Sequence, residues 1–326
     1  MMSEGKGKAW FLRILVLVVA LLVAAVGYAG NETAPQKVRF GYFPISTLLP
    51  VYVAQDKGYF AANGLQVTMT EIPGSPSVMV ALAAGQLDVG SMSFISTVLA
   101  SKKGVPVKLL ASFGYSKVGQ GMNGIYVLKG SAIKNMADLS GKKIGGNMKG
   151  TEPWFWTMDA LTTHNVSNYR YIELGTLDVP PSLKSGTVDA AFLTEPATTM
   201  MRNDTRALID LGNIFGACGY AFADAFVSKN PDAVKAWFRS LKTAIKFIRE
   251  NNDEARKILA KYTRITPEIA KKSILPLWDD QSRILVDEGE REIAWMKKYK
   301  LISETPDLNK VFDYRFTGKA KLTEMK

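Results

Sequence analysis

The feature that most constrains this 326-residue chain is a pattern that occurs twice. Ala81-Leu-Ala-Ala-Gly-Gln-Leu-Asp88 is echoed 101 residues on by Ser182-Leu-Lys-Ser-Gly-Thr-Val-Asp189, through a shared Leu-x-x-Gly-x-apolar-Asp. Arg39-Phe-Gly41 is echoed 104 residues on by Lys143-Ile-Gly145. Two echoes in one order and near-equal register predict a single α/β unit built twice. Each copy of the longer pattern reads as a short helix, a Gly stop and a buried strand opening on Asp.

The intervening sequence alternates strand and helix signals. In the first copy strands are predicted at 38–43, 65–72 and 107–112, with helices over 48–63 and 94–103. In the second, strands fall at 125–129, 169–174, 188–193 and 207–211, with helices over 152–164, 180–186 and 196–203. Such alternation specifies parallel sheets. A strand over 220–227 is expected to run back. After Pro231 the period turns helical: Val234, Trp237, Phe238, Leu241, Ile245 and Ile248 share one face, and helices follow near 253–262, 267–275 and 286–299. These helices need the first lobe to pack on. The chain therefore crosses between lobes near 114–124 and 212–220, so that 37–114 with 221–326 form lobe 1 and 115–220 lobe 2.

Composition narrows the function. Hydrophobic residues make up 47% and charged residues 22%, as in a globular body. The net charge of +11 is spread over amphipathic helices, as at Lys235, Arg239, Lys242 and Lys246, with no basic run interleaved with aromatics, so no nucleic-acid partner is expected. The single cysteine, Cys218, excludes an internal disulfide, and the single histidine, His164, leaves no His/Cys zinc cluster. No cofactor, no metal and no catalytic residue is expected, and the chain is read as a non-enzyme. At the N-terminus, Lys6, Lys8 and Arg13 precede an apolar run from Ile14 to Val26 and the small-x-small site Gly27-Tyr-Ala29. Residues 1–29 thus read as an export signal, with an uncleaved anchor as the alternative, and either places the body outside the cytoplasm.

Ligands of open α/β sheets collect beyond the carboxyl ends of the strands, where helix N-termini point free N–H groups. Those positions hold Thr47, Ser75 and Ser93 in the first copy. In the second they hold Thr151 and Thr194, 104 and 101 residues after Thr47 and Ser93. Read functionally, these hydroxyls and helix dipoles converge on a small anionic or zwitterionic ligand; read structurally, each hydroxyl is an N-cap. Asp88 and Asp189 lie at the far end of the sheets and read as scaffold. Glu152 and Glu195 both stand in Thr-Glu-Pro on the cleft side, as receivers of a ligand ammonium or as first-turn acids. Trp154 and Trp156 flank Phe155 and wall the ligand or join the core; Tyr42, Phe43 and Tyr115 are weaker candidates.

With these residues in hand, the chain resembles the substrate-binding proteins of nitrate/sulfonate/taurine-type ABC importers, whose family also includes thiamine-pyrimidine-precursor binders. The resemblance rests on Phe40-Gly-Tyr42, Ala54-x-x-x-Gly-Tyr-Phe60 with Asn63-Gly-Leu65, Gly74-Ser-Pro76, Ala81 to Gly90, Gly141-Lys-Lys-Ile-Gly145 leading to Lys149-Gly-Thr151, and Asn230-Pro231. It implies a two-lobe α/β fold of the type II periplasmic binding protein class, with two strand-like hinges and closure on a small ligand. It further implies a monomer that delivers its ligand to a membrane permease with a cytoplasmic ATPase. Ser46-Thr47, Gly74-Ser75, Ser93 and Gly150-Thr151 are the ligand-contacting places the family implies. Glu152-Pro-Trp-Phe-Trp156 departs from a simple sulfonate site, being bulkier and more acidic. The yeast-type pyrimidine synthases of the wider superfamily use a cysteine-rich motif and an active-site histidine, and this chain carries nothing like them. The expectation is capture without chemistry; the alternatives are an enzyme with Glu152 or Glu195 as general base, and a ligand-sensing ectodomain.

Overall fold

The echoed pattern folds into two sheets of the same topology. In this computed structural model residues 34–116, 120–212 and 218–324 are described; the expected export signal and the middle of both crossovers lie outside them. The first sheet has the order β2-β1-β3-β10-β4, from β1 (Gln36–Tyr42), β2 (Leu65–Glu71), β3 (Val89–Met92), β4 (Val107–Ser112) and β10 (Gly219–Ala223). The second has the order β7-β6-β8-β5-β9, from β5 (Asn123–Leu128), β6 (Lys143–Gly146), β7 (Arg170–Glu173), β8 (Ala190–Thr194) and β9 (Thr205–Asp210). In each, four strands run parallel and one antiparallel strand, β10 or β5, is inserted between the third and the fourth.

The register explains why the sequence repeats where it does. Phe40 and Gly41 pair with Val89 and Gly90, and Ile144 and Gly145 with Ala190 and Ala191. Asp88 and Asp189 close the amino ends of these pairs. Asp88 Oδ2 accepts the Arg39 backbone N–H at 2.8 Å, and Asp189 Oδ2 accepts that of Lys143 at 2.8 Å. Asp88 is further held by the Arg39 guanidinium at 2.7 and 3.0 Å. The echoed glycines make room for the apolar residue of their own repeat: a Cβ on Gly41 would stand 2.3 Å from Leu87, and one on Gly145 3.1 Å from Val188. Hence both aspartates are scaffold, as expected.

Helix Pro231–Glu250 covers the first sheet with the apolar face read from its period, burying Val234, Trp237, Leu241, Ile245 and Ile248 while Phe238 is half-buried. Trp237 lies 4.7 Å from Phe60 and 5.3 Å from Phe40, ring centre to ring centre. Two expected elements break or change type, and the helices expected over 196–203 and 267–275 are shorter, Ala197–Met200 and Pro267–Lys272. The helix over 48–63 is broken at Gly58, which takes φ 72°, into Leu49–Asp56 and Tyr59–Ala62. The strand over 220–227 ends at Ala223, opposite the start of β4, and continues as helix Asp224–Lys229.

Replacing Asp88 by Ala should cost about 1 kcal/mol, the usual net effect of losing hydrogen bonds at a half-buried carboxylate. Asp189→Ala should cost less, because Asp189 is exposed. Urea unfolding of the two variants beside the parent checks both the sign and the order.

Candidate functional site

The carboxyl edges of the two sheets face each other, and the expected residues gather there in unequal roles. On the first edge, the turn Ser46–Leu48 after β1 buries both Ser46 and Thr47. Neither side-chain hydroxyl has a partner among the described residues, and the same holds for Ser91 in β3. The Thr47 carbonyl accepts the Trp278 indole N–H at 2.9 Å. Ser93 is an N-cap: its Oγ accepts the Ser96 N–H at 3.1 Å and donates to Ser96 Oγ at 3.0 Å. Ser75 is not the cap of helix Ser75–Ala83; Gly74 is, at φ 87°, and Ser75 instead accepts the Ser93 N–H at 3.1 Å. A Cβ on Gly74 would lie 3.2 Å from the Met148 methyl, so the second half already rests on this turn.

On the second edge, Gly150 forms the turn and Thr151 opens helix Glu152–Thr163, donating to the Met148 carbonyl at 2.6 Å. Thr194 Oγ1 donates to Asn123 Oδ1 at 2.5 Å, and Asn123 Nδ2 donates to the Gly212 carbonyl at 3.0 Å. Thr194 thus serves the crossover through a fully buried asparagine that the sequence reading passed over. An Asn opening an otherwise apolar strand was the available signal. Glu195 is buried; its Oε1 accepts from Thr198 and Thr199, each at 2.6 Å, whereas Oε2 has no partner among the described residues. Burial pushes its carboxyl above the ordinary range, and the two hydroxyls and the Ile274 amide pull it back only in part.

Glu152 and the aromatics after it meet a helix the sequence reading took for packing alone. Helix Val286–Lys298 presents Glu288, Arg291, Glu292 and Trp295 along one face, at helical spacing. Glu152 Oε2 accepts from the Cys218 thiol, which enters β10 at the edge of the first sheet. The Glu292 carboxyl lies beside that of Glu152, close enough for each to shift the other. Apart from each other, Glu152 Oε1 and both Glu292 oxygens have no partner among the described residues. Two such acceptors bond only by sharing a proton. Burial raises both carboxyls, Glu292 furthest, and burial with the neighbouring acids lifts the Cys218 thiol well up. Glu288 bonds Arg291 but is pushed up to about 7, because its burial outweighs the guanidinium.

The three aromatics divide. Phe155 joins the core with Met92, Phe94 and Met296, and so staples the second half to the first. Trp154 packs edge-on against Phe155 at 4.7 Å and against Tyr299 at 6.1 Å. Trp156 meets Trp295 edge-on at 4.7 Å, under the Arg291 guanidinium. Tyr42 packs on Phe40 and Tyr52, Phe43 lies against the same core, and the Tyr115 backbone pairs with Leu277. Among the described residues no group of three acidic, His or Cys side chains is placed to hold a metal ion.

The raised carboxyls fix a pH dependence. A carboxyl raised on folding stabilises the protein fully below its unfolded value, and that stability is lost as pH rises through the folded value. For Glu288 the window runs from the ordinary carboxyl value of 4.5 to about 7, and the Glu152–Glu292 pair extends it upward. Urea unfolding should therefore show a more stable protein at pH 5 than at pH 8. Glu292→Gln should flatten that slope; a slope unchanged in the variant would remove the shared proton from the account.

Residues 46–255, well over half of the chain, match the NMT1/THI5-like family profile. A curated relative, the 4-amino-5-hydroxymethyl-2-methylpyrimidine phosphate synthase of Schizosaccharomyces pombe, is 30% identical over 219 residues, covering 60% of each chain. The chain thus spans about 60% of the length of the curated relatives it first matches. The periplasmic aliphatic sulphonate binding protein SsuA of Escherichia coli superposes with a TM-score of 0.67 at 18% identity, over 87% of this chain and 99% of that one. The periplasmic nitrate-binding protein NrtA of Synechocystis PCC 6803 does so with a TM-score of 0.71 at 14% identity, over 86% of each. At such identities the likeness is one of fold. The expectation of a non-enzyme is overturned by the curated relatives, which carry the name of a synthase. A lone His and a lone Cys were too narrow a ground for it, since buried carboxyls can do acid–base work without either. The chain has the two-lobed α/β fold of the type II periplasmic binding proteins and belongs to the NMT1/THI5-like family.

Proposed function

We propose that the protein binds a small nitrogen-bearing organic molecule between the carboxyl edges of its two sheets. One observation carries this reading. Buried polar side-chain atoms without partners among the described residues gather at those edges: the hydroxyls of Ser46, Thr47 and Ser91 on one side, and Glu195 Oε2 and the Trp156 indole N–H on the other. A buried polar group left unpaired costs about 1–3 kcal/mol, and a ligand that pairs several at once recovers that cost. The buried carboxyls at these edges favour a ligand that offers N–H groups or positive charge over the sulphonate or nitrate bound by the fold's neighbours.

Two fates for the bound molecule are in view. The names of the curated relatives favour chemistry on a pyrimidine, with Glu195, whose burial favours the protonated form, as the acid–base group. The solved neighbours, periplasmic sulphonate- and nitrate-binding proteins and the ligand binding component of an ABC-type import system, favour capture outside the cytoplasm and delivery to a membrane importer.

A thermal-shift screen of aminopyrimidines, amino acids, sulfonates and nitrate should give a saturable rise with the nitrogenous compounds. Glu195→Gln and Thr47→Val should each weaken that binding by about tenfold, one lost hydrogen bond apiece. A flat screen contradicts the proposal. Mass analysis of the ligand recovered after incubation separates the fates: a changed mass supports chemistry, and an unchanged one supports delivery.

A further inference from the structure

Helix Val286–Lys298 turns a charged face into protein, which is costly unless the charges are matched. Glu152, Glu288 and Glu292 are 1%, 4% and 0% exposed. The cation that acts on all three is Arg291. Its guanidinium bonds the Glu288 carboxylate, and its Cζ stands 4.6 Å from the Trp156 ring centre and 5.4 Å from that of Trp295. The two rings meet at 80°, forming the walls of a corner. One wall belongs to the helix that follows β6 and the other to the C-terminal helix packed on Phe94 of the first half, so the corner spans the cleft. The Arg291 side chain remains 37% exposed, so solvent reaches the corner from outside. Behind it lie the Glu292 oxygens and Glu152 Oε1, fully buried and without donors other than a shared proton among the described residues.

We propose that Trp156, Trp295, Glu288 and Glu292 form a binding corner for a planar cation of the guanidinium or amidinium class, which Arg291 fills as a tethered stand-in. The inference rests on the reading above for the place of the ligand and adds its charge and shape. A flat delocalised cation lays its face on an indole and turns its N–H edge to carboxylates, which a compact ammonium cannot do in both respects. With one proton shared between Glu152 and Glu292, the three acids outweigh the one guanidinium while Glu288 is ionised, which leaves negative character at the corner. An incoming ligand must displace Arg291, so the side chain lowers apparent affinity as any competing internal state does.

The test is chemical rescue. Arg291→Ala is titrated with methylguanidinium, with N-methylurea as the neutral isostere, followed by thermal unfolding and tryptophan fluorescence. A saturable rise of about 3–5 °C is expected with methylguanidinium alone. Binding should be at least tenfold tighter than in the parent chain, whose fluorescence should respond only at correspondingly higher concentration. Adding Trp156→Ala should abolish it. No saturable response, an equal response to N-methylurea, or equal affinity in the parent overturns the proposal. Arg291→Gln, which keeps the length of the side chain and loses its charge, repeats the test should the alanine variant fold poorly. Failure of this rescue overturns the corner alone, whereas a flat ligand screen on the parent overturns the capture reading.

Discussion

The parallel pairing of β1 with β3, and of β6 with β8, sets where every polar group of the cleft lies. One carboxylate pins each pair: Asp88 on the Arg39 amide and Asp189 on the Lys143 amide. With the amino ends fixed, the carboxyl ends fall at matched heights. Ser46 and Thr47 then follow β1, Glu195 follows β8, and Glu152 opens the helix beyond β6. A one-residue slip would turn each edge residue to the opposite face, so the register is tied to the site as tightly as to the core.

The second dependence is electrostatic. The halves meet through Glu152 and Glu292, two buried carboxyls that hold each other only while they share a proton, with the Cys218 thiol as a further donor. Apolar contacts add to this, chiefly Phe155 packed with Met92, Phe94 and Met296. The polar part of the junction is conditional on protonation and the apolar part is not. An interface built in this way has a stability that its surroundings can tune.

Much of the fold was legible because it is written in local pattern. The doubled Leu-x-x-Gly-x-apolar-Asp and the 3.6-residue period after Pro231 both report short-range geometry, and both sheets and helix Pro231–Glu250 follow from them. The site was legible only in outline. Ser46, Thr47, Glu152 and Glu195 do lie at the edges, because strand ends fix them. Ser93 and Thr194 lie there too, but bond within the protein, which no spacing rule distinguishes from pointing at a ligand. Glu288, Arg291 and Glu292 stayed hidden because their partner Glu152 is more than 130 residues away in sequence, and a charged helix face reads as solvated until something packs on it. Asn123 escaped for the same reason: its partners, Thr194 and Gly212, are 71 and 89 residues distant.

The central claim is that the orphaned groups of the two edges belong to one ligand. Native mass spectrometry of the chain purified without denaturation, beside a Thr47→Val, Glu195→Gln double variant, tests it most directly. The account predicts an adduct of small-molecule mass on the parent that is lost from the variant. A parent chain that carries nothing, or an adduct that the variant retains in full, would contradict it.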